Sequence, residues 1–271
     1  MANRRHSTFI REFLSFKLGT TRLSSAEMAN TLVVNEVYLS LQGESTLAGL
    51  PCIFVRLTAC NLRCSYCDTA YAFTEGEKQD SDEILSEVRR LAAPFSGHVG
   101  GHKLPLVELT GGEPLLQPNA LPLMSALCEE GFTVLIETSG AHDISQIDPR
   151  VRRIMDLKCP SSGEVARNRF ENISHLRGTD EVKFVIGTQE DYDWAKEQIA
   201  QRGLEKICPL LFSWVQPLAP EQQHPSLKSV PAGQTPITLR ELAEKIIADA
   251  LPVRFQLQMH KFIWPAEQRG V

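Results

Sequence analysis

Three cysteines stand close together in the sequence at Cys60, Cys64 and Cys67, separated by three residues and then by two. The residues between them are mostly polar, which indicates a loop. A short loop can bring three thiolates to three corners of a cubane iron–sulfur cluster, whereas clusters bound by cysteine alone normally take four thiolates. Because no fourth cysteine follows, the spacing predicts a 4Fe-4S cluster with one iron open to bind a small molecule and pass it an electron.

Two other interpretations of these cysteines stay open. A structural zinc site usually takes four ligands, often as two separated pairs, and the sequence contains no second pair. An iron–sulfur electron carrier needs a fourth cysteine ligand. None of the remaining cysteines has the local spacing of a ferredoxin, and we expect them to be small buried residues; they are Cys52, Cys128, Cys159 and Cys208.

Length and composition limit the classes of protein that fit. A chain of 271 residues can bury one large core, and an α/β barrel of this length is commonly one domain. The net charge of −5 and the lack of a dense basic run argue against a nucleic-acid-binding protein, and no apolar run approaches the length of a membrane span. Seven cysteines, with three clustered, indicate a reducing compartment. These features predict a cytoplasmic protein that acts on a small molecule.

The amino-terminal segment differs from the rest of the chain. Residues 1–27 are rich in arginine, serine and threonine, as a transit peptide would be. Met28 stands directly before the first predicted strand and is a second plausible start. We therefore expect residues 1–31 to be a disordered extension and residues 32–271 to form a single core domain.

Strand-like and helix-like segments alternate from Leu32 onward. The predicted strands are residues 33–39, 53–58, 106–109, 133–137, 154–157, 182–186, 210–215 and 254–258. The predicted helices are residues 81–93, with Ser81 as the cap, 119–130, 190–201 and 237–250, and residues 94–105 are predicted to be a loop. The alternation predicts parallel βαβ units arranged as an α/β barrel.

Polar and glycine residues follow the predicted strands. The cysteine loop ends one strand, while Gly111-Gly112, Ser139, Lys158 and Gln216 follow others. In parallel α/β barrels the carboxyl ends of the strands hold the chemistry, because the loops there converge on the mouth of the barrel. We therefore expect these residues to meet around one site, where the paired glycines allow close approach of a ligand.

Two motifs resemble the radical S-adenosylmethionine superfamily: the cysteine loop with Tyr66 before its last cysteine, and Thr-Gly-Gly-Glu-Pro at residues 110–114. From about Val33 to the end, the chain more closely resembles the 7-carboxy-7-deazaguanine synthase family of that superfamily. The segments that carry this closer resemblance are residues 41–45, 54–57, 67–69 and 137–140. The resemblance implies a partial, incomplete parallel β/α barrel of the radical S-adenosylmethionine type.

The resemblance also implies a reaction, that of a carbon–nitrogen lyase. Such enzymes use a 5′-deoxyadenosyl radical to take hydrogen from C6 of 6-carboxy-5,6,7,8-tetrahydropterin, and ring contraction with loss of ammonia gives 7-carboxy-7-deazaguanine for queuosine and related 7-deazapurines. The implied cofactors are a 4Fe-4S cluster, S-adenosylmethionine and Mg²⁺. The implied partners are a flavodoxin- or ferredoxin-type reductant and a second copy of the chain. No side chain is expected to be catalytic, because the cluster and cofactor carry the radical chemistry.

Metal and cofactor positions follow from the same resemblance. Cys60, Cys64 and Cys67 match the cluster ligands, and Thr69 matches a position whose hydroxyl binds magnesium, an ion that prefers oxygen ligands. Gly112 and Glu113 would lie along the amino group of the methionine moiety. The cofactor-binding residues that the resemblance implies are Tyr66, Cys67, Asp68, Gly112, Glu113, Ser139, Lys158 and Gln216.

The implied substrate residues include a polar turn and an arginine. The amide of Gln42 and the carboxylate of Glu44 can pair with the N–H, amino and carbonyl groups along one edge of a pterin. Arg56 would form a bidentate pair with the substrate carboxylate, which lysine does less well. The full set is Leu41, Gln42, Gly43, Glu44, Arg56, Thr110 and His260. Structural roles stay open for Arg56 as an ion-paired residue, for Gln42 and Glu44 as surface turn residues and for His260 as a histidine of the last strand.

Two regions depart from the family pattern, and two rival functions remain. The proline-rich residues 218–234 look like an insertion with no evident role, and the chain continues past His260 to Val271. One rival is an activase that installs a glycyl radical on a partner protein. The other is an iron–sulfur carrier that does not cleave S-adenosylmethionine.

Overall fold

The computed structural model describes residues 30–265 and 268–271. The prediction of a disordered extension with a second start at Met28 lies outside the described residues, except at its boundary. At that boundary, Thr31 is the first residue of the first strand. No helix in the described part of the chain is long and apolar enough to cross a membrane.

Nine of the eleven strands in the described residues form one open sheet in the order β11-β10-β9-β8-β7-β6-β2-β1-β3. The strands are β1 Thr31–Leu41, β2 Pro51–Leu57, β3 Glu77–Asp80, β4 His98–Val99, β5 His102–Lys103, β6 Leu106–Gly111, β7 Val134–Thr138, β8 Arg152–Asp156, β9 Glu181–Ile186, β10 Leu210–Trp214 and β11 Arg254–Gln256. The helices are α1 Ser81–Ala92, α2 Ala120–Glu129, α3 Gln189–Arg202, α4 Leu239–Ala248 and α5 His260–Ile263.

The parallel part of the sheet confirms the predicted partial barrel. β2 and β6 to β11 run parallel to one another. The prediction of parallel units is wrong for β1, which runs antiparallel to both β2 and β3. Because only residues 42–50 join β1 to β2, the connection is too short for a parallel crossover. The polar strand β3 gives no apolar alternation and was not predicted.

Local chemistry explains three further differences from the predicted elements. Asp80, not Ser81, caps α1, because its carboxylate accepts the Asp82 N–H at 2.9 Å in a capping box. The predicted loop at 94–105 contains the β4–β5 hairpin, whose Gly100-Gly101 turn has positive φ at both residues, as a tight hairpin requires. The last strand ends at Gln256, and His260 begins α5 instead of lying on the strand.

The two faces of the barrel strands differ in chemistry. In β9, Val182, Phe184 and Ile186 are fully buried in the apolar core, while Lys183 and Val185 line an internal cavity. The same alternation holds in β6, where Glu108 and Thr110 face the cavity. Because successive side chains of a strand point to opposite faces, each strand contributes both to the core and to the polar interior.

Candidate active site

One cavity of about 210 Å³ lies at the carboxyl ends of the parallel strands. It brings together the predicted site residues from both halves of the sequence, with the exception of Glu113. The predicted residues that line it are Leu41, Gln42, Gly43, Glu44, Arg56, Cys60, Cys64, Tyr66, Cys67, Asp68, Thr69, Thr110, Gly112, Ser139, Lys158, Gln216 and His260. Whether each of them binds a metal, cofactor or substrate stays a prediction.

The cysteine loop, residues 60–69, is anchored to the loop that follows β8. Ser65 donates its backbone N–H to Ser162 O at 3.1 Å and its hydroxyl to Ser161 O at 2.7 Å. The Arg63 N–H donates to the Glu164 carboxylate at 2.7 Å. These bonds fix the backbone between the cysteines, although the loop contains no regular secondary structure.

Gly112 allows the end of β6 to lie against the start of the cysteine loop. A Cβ atom at this position would lie 2.0 Å from Ala59 O, which no side chain can tolerate. The adjacent Glu113 N–H donates to the same Ala59 oxygen at 2.8 Å. The Gly-Gly motif and the cysteine loop are therefore held in direct backbone contact.

Glu113 does not line the cavity, which differs from the predicted contact with the cofactor. Its side chain is completely buried, and one carboxylate oxygen accepts bonds from the Ser139 N–H at 2.8 Å and the Ser139 hydroxyl at 2.6 Å. The Thr138 hydroxyl donates to the other oxygen at 2.9 Å. The geometry therefore makes Glu113 a support for Ser139, and its contact with a cofactor stays a prediction.

The chemistry of the three cysteines suits an iron–sulfur cluster. None of the cysteines, all of which lie in the described part of the chain, forms a disulfide. Burial raises the pKa of Cys60 and Cys67 and raises that of Cys64 to about 12. Bound iron would supply the positive charge that thiolates need in such a site. In the described chain no group of three or more His, Cys, Asp or Glu side chains surrounds a single metal-ion position.

Buried polar atoms around the cysteine loop have acceptor capacity that the described residues do not use. Asp156 Oδ1, Gln216 Oε1 and the Tyr66 hydroxyl belong to cavity-lining residues and have no hydrogen-bond partner among the described residues. Asn61 Oδ1, of a residue that does not line the cavity, has none there either. Buried polar groups are nearly always hydrogen-bonded in complete structures. A polar ligand beside the cluster would provide partners for those that face the cavity.

Arg56 is both ion-paired and exposed to the cavity. Its Nε donates to Glu36 at 2.8 Å and its Nη2 donates to the Tyr38 hydroxyl at 2.6 Å. An irregularity in β1 between Val34 and Glu36 sets Glu36 directly opposite Arg56 in the sheet. Glu36 and Tyr38 were not predicted as site residues, because they lie on a strand whose orientation the sequence does not reveal.

A buried lysine connects two carboxylates across the floor of the cavity. Lys183 donates to Glu44 at 3.2 Å and also contacts Glu137. Glu44 in turn accepts the Ser213 hydroxyl at 2.8 Å, and Glu137 accepts the Thr110 hydroxyl at 3.2 Å. Burial opposes the charge on Lys183, but Glu137 and Glu44 together hold its pKa above its usual value. Glu44 is thus part of the buried site and not a surface turn residue.

Gln42 is held by a further acidic side chain in the interior, that of Glu108. Its Nε2 donates to Glu108 at 2.8 Å, and its Oε1 accepts the Glu44 N–H at 2.6 Å. Gln42 is 3% exposed, and the bond from its amide oxygen to the Glu44 N–H fixes the turn that carries Glu44. Burial, and next the charge of Glu137, raises the pKa of Glu108 to about 8.

The carboxy-terminal residues close the side of the cavity near Asp68. Lys261 forms an ion pair with Asp68 at 2.6 Å. Burial alone would raise the pKa of Asp68, but Lys261 and then His260 hold it below its usual range. Val271 also lines the cavity, so the tail whose placement the sequence left open returns to the site.

Comparisons with known proteins agree with this geometry. Residues 55–200 match the Radical SAM superfamily. The 7-carboxy-7-deazaguanine synthase of Koribacter versatilis is 45% identical over 240 residues, covering 88% of this chain and 99% of the relative. That of Chlorobaculum tepidum is 40% identical over 243 residues, covering 89% and 97%. The chain belongs to the 7-carboxy-7-deazaguanine synthase family. Membership makes it a lyase-type enzyme and implies a 4Fe-4S cluster and S-adenosylmethionine as cofactors.

Solved structures support the same fold. QueE from Escherichia coli superimposes with a TM-score of 0.60 at 23% identity, covering 85% of this chain and 95% of that one. Streptococcus suis SuiB bound to the precursor peptide SuiA superimposes with a TM-score of 0.54 at 14% identity, covering 75% of this chain and 47% of that one. Because both identities are low, these likenesses bear on the fold alone.

Four ionisable residues of the site, Glu108, Glu137, Asp156 and Lys183, were missed by sequence reasoning, as were Glu36 and Tyr38. Each of the four lies within a predicted barrel strand that is otherwise largely apolar. A charged residue at an interior-facing position of such a strand is unusual, because burial of a charge is costly unless it is paired. Charged residues within apolar strands were therefore an available signal for a polar barrel interior.

We predict that Glu108→Gln changes how stability depends on pH. Because the pKa of Glu108 is about 8 in the folded protein and 4.5 when unperturbed, the folded state holds an extra proton between these values. Wild-type stability should therefore fall as pH rises across this interval, and the variant should lack this component.

Guanidinium titrations under anaerobic conditions measure the effect. The variant's free energy of unfolding relative to wild type should increase by on the order of 4 kcal/mol between about pH 5 and about pH 8. Glu205→Gln, at an exposed glutamate, is the control and should show no such trend. A pH-independent difference for Glu108→Gln would refute the assignment.

Proposed function

We propose that this protein converts 6-carboxy-5,6,7,8-tetrahydropterin to 7-carboxy-7-deazaguanine with loss of ammonia, as part of queuosine or other 7-deazapurine biosynthesis. The observation that carries the proposal is the convergence of two sets of residues on one cavity. The three cysteines lie at one end, and Gln42, Glu44, Arg56 and Thr110, which are expected to read a carboxylated pterin, line the same space. Family membership supports the same activity.

At the cysteine end, the chain's task is to bind and orient the cofactors. Cys60, Cys64 and Cys67 would hold the 4Fe-4S cluster, which together with S-adenosylmethionine supplies the radical that begins the reaction. Close to it, Lys158 is ion-paired with Asp156 at 2.7 Å, and the second oxygen of Asp156 remains an available acceptor within the described residues. Together with Gln216 Oε1, this oxygen suits the amino and hydroxyl donors of the cofactor.

At the opposite end, fixed carboxylates suit the donor groups of a pterin. Lys183 holds Glu44 and Glu137 in place through ion pairs with both carboxylates. Burial would raise the pKa of Glu137, but Lys183 lowers it. Two oriented carboxylates can accept the N–H and amino hydrogens of an aminopyrimidinone ring.

Arg56 suits the carboxylate of the substrate. The guanidinium has five N–H donors in a fixed plane, and bonds to Glu36 and Tyr38 account for two of its nitrogens. These bonds hold the guanidinium still, which lowers the entropic cost of pairing it with a ligand carboxylate. Thr110 lies directly opposite Arg56 on β6 and continues the same surface.

We also propose Thr69 as a magnesium ligand. Its hydroxyl lies 3.7 Å from the Cys67 sulfur, and Thr69 lines the cavity. A hard cation such as Mg²⁺ takes oxygen ligands and commonly completes its coordination with water and substrate oxygens. The proposed site would therefore connect the cysteine loop to the substrate.

Three further features of the proposed function come from the family and the sequence. The reaction needs a one-electron donor, which we expect to be a flavodoxin- or ferredoxin-type protein. We expect a homodimer without direct contact to nucleic acid or membrane. The clustered, unpaired cysteines suit a reducing compartment, and we place the protein in the cytoplasm.

The central test is turnover by the anaerobically reconstituted protein. Wild type should convert 6-carboxy-5,6,7,8-tetrahydropterin to 7-carboxy-7-deazaguanine when S-adenosylmethionine, Mg²⁺ and a reductant are supplied, with the product measured by mass spectrometry. Cys64→Ala should lose the cluster and all product formation. Cys128→Ala, at a partly buried cysteine of α2, is the matched control and should retain both.

The same experiment separates the rival functions. Cleavage of S-adenosylmethionine without formation of the deazaguanine would leave the glycyl-radical activase as the better interpretation. A stable cluster without cleavage of S-adenosylmethionine would indicate an electron carrier. Full turnover by Cys64→Ala would remove the cluster from the mechanism.

We predict that Arg56→Lys weakens recognition of the substrate carboxylate. Lysine keeps the charge but lacks the planar fork, so KM for the carboxylated pterin should rise at least about tenfold. Arg150→Lys, at an exposed arginine paired with Asp148, is the control and should leave KM unchanged.

A pterin analogue without the carboxylate identifies the group involved. Its binding, measured by competition, should be nearly equal for wild type and Arg56→Lys, since the lost interaction is absent from both complexes. Equal weakening for both ligands would show that Arg56 acts only through the ion pair with Glu36.

For magnesium, we predict that Thr69→Ala raises the Mg²⁺ concentration needed for half-maximal turnover by about tenfold, as expected for loss of one oxygen ligand. Thr69→Ser keeps the hydroxyl and should behave like wild type. Steady-state rates across a magnesium titration measure the change. An unchanged titration for Thr69→Ala contradicts the proposed ligand role.

A further inference from the structure

Residues 218–234, to which the proposed function gives no role, lie against the cysteine loop. They follow β10 and precede α4. Two of their residues, His224 and Lys228, contact groups on or beside that loop. The contacts reach the short stretch between the first two cysteines, where the chain has no regular secondary structure to hold it.

Lys228 and Glu164 together bind both backbone groups of Arg63. The Lys228 N–H donates to Arg63 O at 2.9 Å, and the Arg63 N–H donates to Glu164 Oε1 at 2.7 Å. The Lys228 ammonium then pairs with the other Glu164 oxygen at 3.0 Å and donates to Gly163 O at 2.7 Å. Arg63, the last of the three residues between Cys60 and Cys64, is therefore fixed from two sides by partners that are themselves linked.

The two charged partners, Lys228 and Glu164, differ in their exposure to solvent. The Glu164 side chain is 6% exposed, while that of Lys228 is 47% exposed. A buried carboxylate is costly without a nearby positive charge, even when it accepts hydrogen bonds. Lys228 supplies that charge from the outer side, next to the carboxylate that accepts the Arg63 N–H.

His224 provides a second contact with the same region. Its ring meets the ring of Phe73 edge to face at 6.1 Å, and the Arg63 guanidinium covers Phe73 at 4.1 Å from the ring centre. The guanidinium also donates to Cys60 O at 2.8 Å and Leu62 O at 2.6 Å. Residues 224–228 thus reach the backbone of the cysteine loop by two routes, one through the Arg63 carbonyl and one through Phe73 and the Arg63 guanidinium.

We propose that residues 224–228 form a strap that fixes the cysteine loop, and that Lys228 is a positioning residue for retention of the iron–sulfur cluster. Thiolate ligands on a flexible loop can separate from iron one at a time. By restraining Arg63, the strap keeps Cys60 and Cys64 at a fixed separation and slows this release. The inference requires only that the three cysteines bind a cluster and does not depend on the identity of the substrate.

The test measures iron release from the anaerobically reconstituted full-length protein. Lys228→Met, which keeps the aliphatic stem and the backbone N–H, should release iron to a chelator about fivefold faster than wild type, the size expected for loss of one partly exposed charged contact. Lys196→Met, which removes the ammonium that pairs with Asp249 on the surface of α3, is the matched control and should release iron at the wild-type rate.

A double substitution tests whether Lys228 acts through Glu164. Glu164→Gln removes the charge that Lys228 neutralises, so Lys228→Met combined with Glu164→Gln should be no faster than the faster single variant. Guanidinium midpoints of Lys228→Met and Lys196→Met should match wild type, which separates cluster retention from global stability. Because Lys228 lies at the surface, its single variant remains informative even if Glu164→Gln fails to fold.

Two results would contradict the proposed strap. The first is an iron-release rate of Lys228→Met equal to that of wild type. The second is a fall in the guanidinium midpoint of Lys228→Met large enough to account for its faster iron release. If the proposed function is wrong instead, the wild-type protein will retain its iron normally but will not form the deazaguanine.

Discussion

The close contact between Gly112 and Ala59 is the constraint on which the site depends. It places the end of β6 against the first residues of the cysteine loop, at a distance that excludes every side chain at position 112. The neighbouring N–H of Glu113 binds the same carbonyl, and the Glu113 carboxylate holds Ser139 at the end of β7. Through these contacts, one backbone approach sets the relative position of three strand ends that surround the cavity.

The interior of the barrel follows a second rule, which is that each buried charge has a partner. Lys183 lies between Glu44 and Glu137, Lys158 pairs with Asp156, and the proton expected on Glu108 reduces the excess of negative charge. Such groups would be costly in an apolar core, and their pairing keeps them fixed before any ligand arrives. The polar interior is thus organised by the protein itself.

The cysteine loop and the polar strand ends could be predicted from the sequence because both are local signals. Cysteine spacing and a Gly-Gly pair are read within a few residues. The position of Lys183 beside Glu44 depends instead on the register of distant strands, since the two residues are 139 positions apart in the chain. The antiparallel β1 was missed for a related reason, since strand direction depends on the length of a connection and on pairing partners. Asp80 replaced Ser81 as the helix cap because either residue type can fill that position, and backbone geometry decides between them.

The pairing of Arg56 with Glu36 has a further consequence for how the site can change over time. Glu36 and Tyr38 belong to β1, an antiparallel strand on the β3 side of β2, whereas the cysteine loop and its supports follow β2 and the strands beyond it. Substitutions in β1 can therefore alter which ligand carboxylate pairs with Arg56 without moving the proposed cofactor ligands. Under the proposed function, the residues that orient Arg56 lie on a strand that carries none of the proposed cofactor-binding residues, so this part of substrate recognition can evolve while the cluster loop stays unchanged.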